Sequence, residues 1–238
     1  MRRAPPSAAH EVREDVLSVV SHDLRGPLGA IQVAVEALTT TEVSAEQRAR
    51  YLRIIRQSTE RAARAIQDFL DVTQIEDHSL PVERTAVPAG ALLAQVASDC
   101  AAAAESYRMT VEVRGAGAPE LLHVDRERMS QALSHLVRYS LQHARGRGPI
   151  EISAGETEAG VVLAVRDHGP GLSDEVKAAL FQRFWESRPR AGGGVLGLAI
   201  ARGIAEAHGG EVRAANDPDG GVRFEIVIPN GPVGASRA

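Results

Sequence analysis

At 238 residues, 44% hydrophobic and 24% charged, the chain has the make-up of a folded protein with one large core or two small ones, which excludes the disordered class. A net charge of −4 without a long basic block leaves no electrostatic footprint for a nucleic-acid partner. A single cysteine, Cys100, excludes an internal disulfide framework and reads as a small buried apolar residue in a reducing compartment. Arg2 and Arg3 are not followed by the apolar core of a signal peptide. No stretch approaches the ~20 apolar residues needed to cross a bilayer. A cytoplasmic protein without a membrane partner is expected, with any membrane sensor on another chain.

From Leu17 the large apolar residues fall at Leu17, Val20, Leu24, Leu28, Ile31, Val35 and Leu38, in steps of three and four. This spacing predicts a helix with one coiled-coil-like seam. After a polar stretch, Leu52, Ile55, Thr59, Ala62, Ile66, Phe69 and Thr73 repeat the pattern, and Ser44 with Gln47 matches a capping box that would start the second helix. One hairpin cannot enclose its own seam. Pairing with a second copy as a four-helix bundle would bury both stripes, so a homodimer is expected.

Asp77, His78, Ser79, Pro81 and Pro88 interrupt the periodicity and mark a domain boundary, giving 1–76 and 77–238 as the two parts. Beyond it helices and strands alternate. Helices are expected at Gly90 to Glu105, Asp125 to His143 and Gly197 to His208; strands are expected around Met109 to Val113, Ile150 to Ala154, Val161 to Arg166, Glu211 to Ala215 and Val222 to Ile228. The reading is an α/β layer with helices over one face of a mixed sheet, followed from Asn230 by a loose tail.

At ~100° per residue His22 lies roughly 165° from the seam and therefore faces solvent. Asp23 follows it, placed to orient the imidazole or take its proton, and Pro27 should loosen the helix one turn later. On residues alone, a solvated surface histidine beside a chance acid is the better reading of this pattern. The surrounding text, Ser21-His22-Asp23-Leu24-Arg25-Gly26-Pro27-Leu28, resembles the phosphoacceptor box of the sensor histidine kinases. That resemblance implies that His22 is phosphorylated and that Asp23 assists. The family usually carries threonine or asparagine four residues after the histidine, holding a water for dephosphorylating the partner. This chain has Gly26. Weak or absent phosphatase activity is expected.

Two glycine-rich turns follow, Asp167-His168-Gly169-Pro170-Gly171-Leu172 and Gly192-Gly193-Gly194-Val195-Leu196-Gly197-Leu198. Backbone N–H groups in such turns can cradle phosphates, although most glycine-rich loops are plain turns. Their order, with Phe181-Gln182-Arg183-Phe184-Trp185 between them, resembles the ATPase domain shared by histidine kinases, gyrase-type topoisomerases and Hsp90-type chaperones. The run Val124-Asp125-Arg126-Glu127-Arg128-Met129-Ser130-Gln131-Ala132-Leu133 resembles the approach to the kinase asparagine box.

By this resemblance the fold is a dimeric helical hairpin followed by an α/β sandwich of the histidine kinase, gyrase and Hsp90 type, with ATP and Mg²⁺ as cofactors. Asp167 would accept the adenine amino group, while Gly169 and Gly171 would let the backbone wrap the base. Gly193 and Gly197, with Leu198, would lie along the triphosphate, and Phe181 and Phe184 would hold the lid, although both phenylalanines also fit an ordinary core. The chain departs from the family pattern at His135 and Tyr139, which replace the two box asparagines, and at Gln142 and Val195. The second asparagine is the family's Mg²⁺ ligand, and a neutral phenol is a poor substitute for it. His143 could supply a polar contact nearby. No metal-ligating residue is therefore assigned.

Two functions follow from these residues. One is an ATP-dependent kinase that phosphorylates itself on His22 and passes the phosphoryl group to an aspartate of a response-regulator receiver domain. The other is a noncatalytic docking or phosphotransfer module with a degenerate ATP-binding domain. Another member of the ATPase superfamily, such as a serine kinase, would not explain the histidine box. A signal would reach the chain through a separate sensor protein.

Overall fold

The computed structural model describes residues 8–40, 42–115, 121–144, 146–181 and 195–229, excluding the side chains of residues 8–20, 22, 23, 40, 178, 179 and 195. The chain divides into two compact units, Met1–Thr73 and Gln74–Ala238. No described helix is long and apolar enough to cross a membrane.

The first unit holds two long helices, α1 (Ala8–Thr40) and most of α2 (Ala45–Glu76). Pro27 lies inside α1 without ending it. The start of α2 is a reciprocal capping box: Ser44 N–H donates to Gln47 Oε1 at 2.8 Å, and Gln47 N–H donates to Ser44 Oγ at 3.2 Å. Two of the orphan donors that every helix start leaves are thereby satisfied. Along the seam, Leu28, Val35, Leu52 and Ile66 are exposed, and Leu24, Ile31, Leu38 and Ile55 are half-buried. Ala34 and Ser58 are buried.

In the second unit β1 (Thr85–Pro88) pairs antiparallel with β3 (Leu121–Val124) as a two-stranded sheet. The main sheet has the order β2-β4-β5-β7-β6, from β2 (Val111–Arg114), β4 (Ile150–Thr157), β5 (Gly160–Arg166), β6 (Glu211–Asn216) and β7 (Val222–Ile228). Among the described strands, only β2 and β4 run parallel. Helices α3 (Ala89–Ser106), α4 (Arg126–Ala144) and α6 (Val195–Ala207) pack over the sheet, with α4 touching both of the others.

Why the sheet has one covered face follows from its period of two. On β4, Ile150, Ile152 and Ala154 are buried and alternate with half-buried Glu151 and Ser153. The helices supply the opposing layer at helical spacing: Leu92, Leu93, Val96 and Cys100 from α3, Met129, Leu133, Leu136 and Val137 from α4, and Ile200, Ala201 and Ile204 from α6 are all buried. The uncovered face carries charge pairs instead, among them Arg114–Glu151 at 3.1 Å and Arg166–Glu151 at 3.5 Å.

The expected layer is present, with shifts at its edges. The strand expected from Met109 begins at Val111, after Arg108 takes a φ of 58° and Met109 turns into the core. The short β1, β3 and α5 (Asp174–Ala179) were not foreseen, because four to six residues are too few to display a period.

Candidate functional site

Asp167 stands just beyond the end of β5 and is 1% exposed. Burying a carboxylate demands partners, and backbone donors provide them. Asp167 Oδ1 accepts from Gly169 N–H at 2.8 Å and from Val222 N–H at 3.1 Å. Its own N–H donates to the Val222 carbonyl at 2.9 Å, continuing the ladder between β5 and β7. The carboxylate is thus held at a strand end, at the head of a glycine turn.

That turn is close-packed. A side chain on Gly169 would press on Asp167 Oδ1 and on the backbone of Ala144 at about 3.0 to 3.1 Å. Gly171 has a φ of 81°, in the left-handed region that glycine enters without cost. The following residue is clasped by Asn216: Leu172 N–H donates to Asn216 Oδ1 at 2.8 Å, and Asn216 Nδ2 donates to the Leu172 carbonyl at 3.0 Å. Behind it, a Cβ on Gly221 would overlap the Asp167 carbonyl oxygen, and Gly221 also has a positive φ of 92°. Arg166 reaches Asp217 at 2.9 Å, fixing the same two segments against each other. Asn216, Asp217 and Gly221 were not singled out from the sequence. Asn216-Asp217-Pro218-Asp219-Gly220-Gly221 is recognisable as turn chemistry, but its long-range pairing with the loop after β5 leaves no local trace.

On α4, Tyr139 is 3% exposed. Its ring stacks on His143 at 4.0 Å and meets Phe224 edge-on at 5.5 Å. His143 is half-buried, with Nδ1 2.8 Å from the Tyr139 carbonyl oxygen. Phe181 also approaches Phe224 edge-on, at 6.4 Å. Gly197, in the first turn of α6, lets that helix approach α4 closely, since a Cβ there would lie 2.6 Å from His135 Nδ1. Leu198 beside it is buried in the core. Gly193 and Phe184 lie outside the described residues. His22 and Asp23 are on α1, with their side chains outside the description; Ser21, Arg25 and Gly26 around them are exposed.

At the far end of α4 and α6 lies a second buried polar cluster. His208 is fully buried, with Nδ1 2.8 Å from the Ile204 carbonyl and Nε2 accepting from Asp125 N–H at 3.0 Å. A neutral ring with its proton on Nδ1 satisfies both contacts. Burial holds its pKa below the ordinary histidine value, and Arg84 pushes the same way against the opposing pull of the Ile204 carbonyl and Asp125. Asp125 caps α4, with Oδ1 accepting from Arg128 N–H at 3.0 Å and Oδ2 from Glu83 N–H at 2.9 Å. Burial raises its pKa, but these donors and that of Glu127 bring the net value below the ordinary one. Sequence resemblance marks Asp125 only as part of an approach motif; the geometry makes it a structural tie.

A buried acid and a glycine turn at a strand end, with three helices over a mixed sheet, agree with the ATPase-type α/β sandwich expected from the resemblance. Residues 124–232 match the model for "Histidine kinase-, DNA gyrase B-, and HSP90-like ATPase", and residues 12–78 match the "His Kinase A (phospho-acceptor) domain". With both domains in this order, the chain belongs to the histidine kinases. It is 30% identical over 228 residues to the sensor protein DivL of Caulobacter vibrioides, an alignment covering 96% of this chain and 29% of DivL. It is 31% identical over 235 residues to the signal transduction histidine-protein kinase BaeS of Escherichia coli, covering 92% of this chain and 47% of BaeS. The chain thus spans less than half the length of these curated relatives. Its fold matches the solved complex of histidine kinase ThkA with response regulator protein TrrA, with a TM-score of 0.61 at 23% identity, covering 92% of this chain and 62% of that one.

Proposed function

We propose that the second unit binds ATP at the Asp167 turn and that its γ-phosphoryl group is transferred to His22, then to an aspartate of a response-regulator receiver domain. The observation that carries this reading is the buried Asp167 carboxylate, fixed by the Gly169 and Val222 N–H groups beside a turn with little room for side chains. An acid so placed can accept from an exocyclic amine such as that of adenine. Gly169 and Gly171 let the base approach the backbone, and Gly193 and Gly197 with Leu198 follow the phosphates. His143 and Tyr139 form the neighbouring wall on α4.

In the transfer, one imidazole nitrogen of His22 attacks the γ-phosphorus. A P–N bond forms, the bond from the γ-phosphorus to the β,γ-bridging oxygen breaks, and ADP leaves with that oxygen. Asp23 orients the ring and takes the proton the imidazole releases. A receiver carboxylate later attacks the same phosphorus and restores the imidazole. The pairing of ThkA with TrrA supports a response regulator as partner. The exposed apolar seam of the hairpin supports a homodimer, since pairing with a second copy would cover it. The family's Mg²⁺ does not fit the residues present, because Tyr139 offers an aromatic ring where the family has an amide oxygen.

Incubation of the purified chain with γ-labelled ATP tests the reading. Acid-labile label should appear on the wild type and not on His22→Ala, and should pass to an added receiver domain. Equal labelling of both forms, or label reaching the wild type only from an already phosphorylated receiver, would refute it.

A further inference from the structure

We propose that adenine nucleotide binds this chain with an affinity that does not depend on Mg²⁺, because among the described residues Tyr139 leaves the cation no amide oxygen at the family's metal-holding position. This rests on the reading that the Asp167 turn takes adenine nucleotide. A nucleotide site comes to prefer the metal complex when a carboxylate or amide oxygen of the protein joins the coordination shell, since Mg²⁺ takes hard oxygen donors in near-octahedral array and gives up water reluctantly.

At the position of the family's metal-holding asparagine stands Tyr139. Its ring is buried, flanked by His143 at 4.0 Å and Phe224 at 5.5 Å. A neutral phenol is a weak ligand for a hard cation, and a ring packed on two sides cannot swing its oxygen toward a phosphate.

Gln142, three residues further along α4, carries an amide, but its Oε1 is fully buried, and the other described polar groups do not replace the asparagine. His135 and His143, a turn to either side on α4, present imidazole nitrogens, which suit transition metals rather than Mg²⁺. Oδ1 of Asp167 serves two backbone donors, both oxygens of Asp125 accept from Arg128 and Glu83, and Asp217 pairs with Arg166. Among the described residues no three His, Cys, Asp or Glu side chains come together as a metal site would require.

Calorimetric titration of the full chain with AMPPNP, once with Mg²⁺ and once with EDTA, tests this. The two dissociation constants should agree within about twofold, and a tightening of about tenfold or more by Mg²⁺ would overturn the inference. Absence of binding in both titrations would instead overturn the nucleotide reading and this inference with it. In Tyr139→Asn, with an amide oxygen restored, affinity should become Mg²⁺-dependent. A folded Tyr139→Asn still indifferent to the metal would overturn the assignment to residue 139. The wild-type comparison needs no variant and decides the matter even if Tyr139→Asn fails to fold.

Discussion

Asp167 satisfies two backbone donors that would otherwise be buried unpaired, and under the proposed function the same carboxylate would offer negative charge to a ligand amine. Separate substitutions divide these roles. Asp167→Asn keeps an oxygen for Gly169 and Val222 and should fold normally. Its nucleotide affinity should fall at least about tenfold, because a charge-assisted hydrogen bond is roughly twice as strong as a neutral one. Asp167→Ala leaves both N–H groups unsatisfied and should lose about 2–4 kcal/mol of stability in urea unfolding. If Asp167→Asn bound nucleotide as well as the wild type, the carboxylate would have a structural role alone. The sequence marked Asp167, Gly169 and Gly171 because acid and glycines lie within five residues. It could not mark Asn216 or Gly221, whose roles consist of contacts made some fifty positions away.

Elements meet where α6 ends and α4 begins. His208 closes α6 on the Ile204 carbonyl and accepts from Asp125, Asp125 caps α4, and Arg84 donates to the Ala207 carbonyl at 3.1 Å. Periodicity announced both helices, since their apolar spacing is a local property. This knot was illegible because it joins Arg84, Asp125 and His208 from three distant stretches. Its pH dependence has a definite sign. The folded pKa of His208 lies below the ordinary value, so the unfolded chain takes up more protons as pH falls past about 6.5. Stability from His208 is therefore complete above that range and lost as pH drops toward the folded pKa. Asp125 is also lowered, so its contribution is lost only in the acid carboxylate range. Urea midpoints should fall between pH 7.5 and pH 5.5, and His208→Gln should flatten that fall. An unchanged slope in the variant would show that His208 does not carry the effect.

The whole molecule couples a helical hairpin with exposed apolar seam positions to a sandwich with a closed core. Leu28 is 52% exposed and Leu52 54%, on a stripe that coiled-coil spacing predicts should be covered. Leu28→Asp would place a charge in the paired seam and should weaken dimerisation at least about tenfold by sedimentation equilibrium. A wild type monomeric at micromolar concentration would contradict the dimer. The ³¹P NMR spectrum of the chain after incubation with ATP tests the central claim most directly. The account predicts a phosphoramidate resonance that disappears on acidification and never forms in His22→Ala. A phosphorylated species that survives acid, or one that persists in His22→Ala, would contradict it.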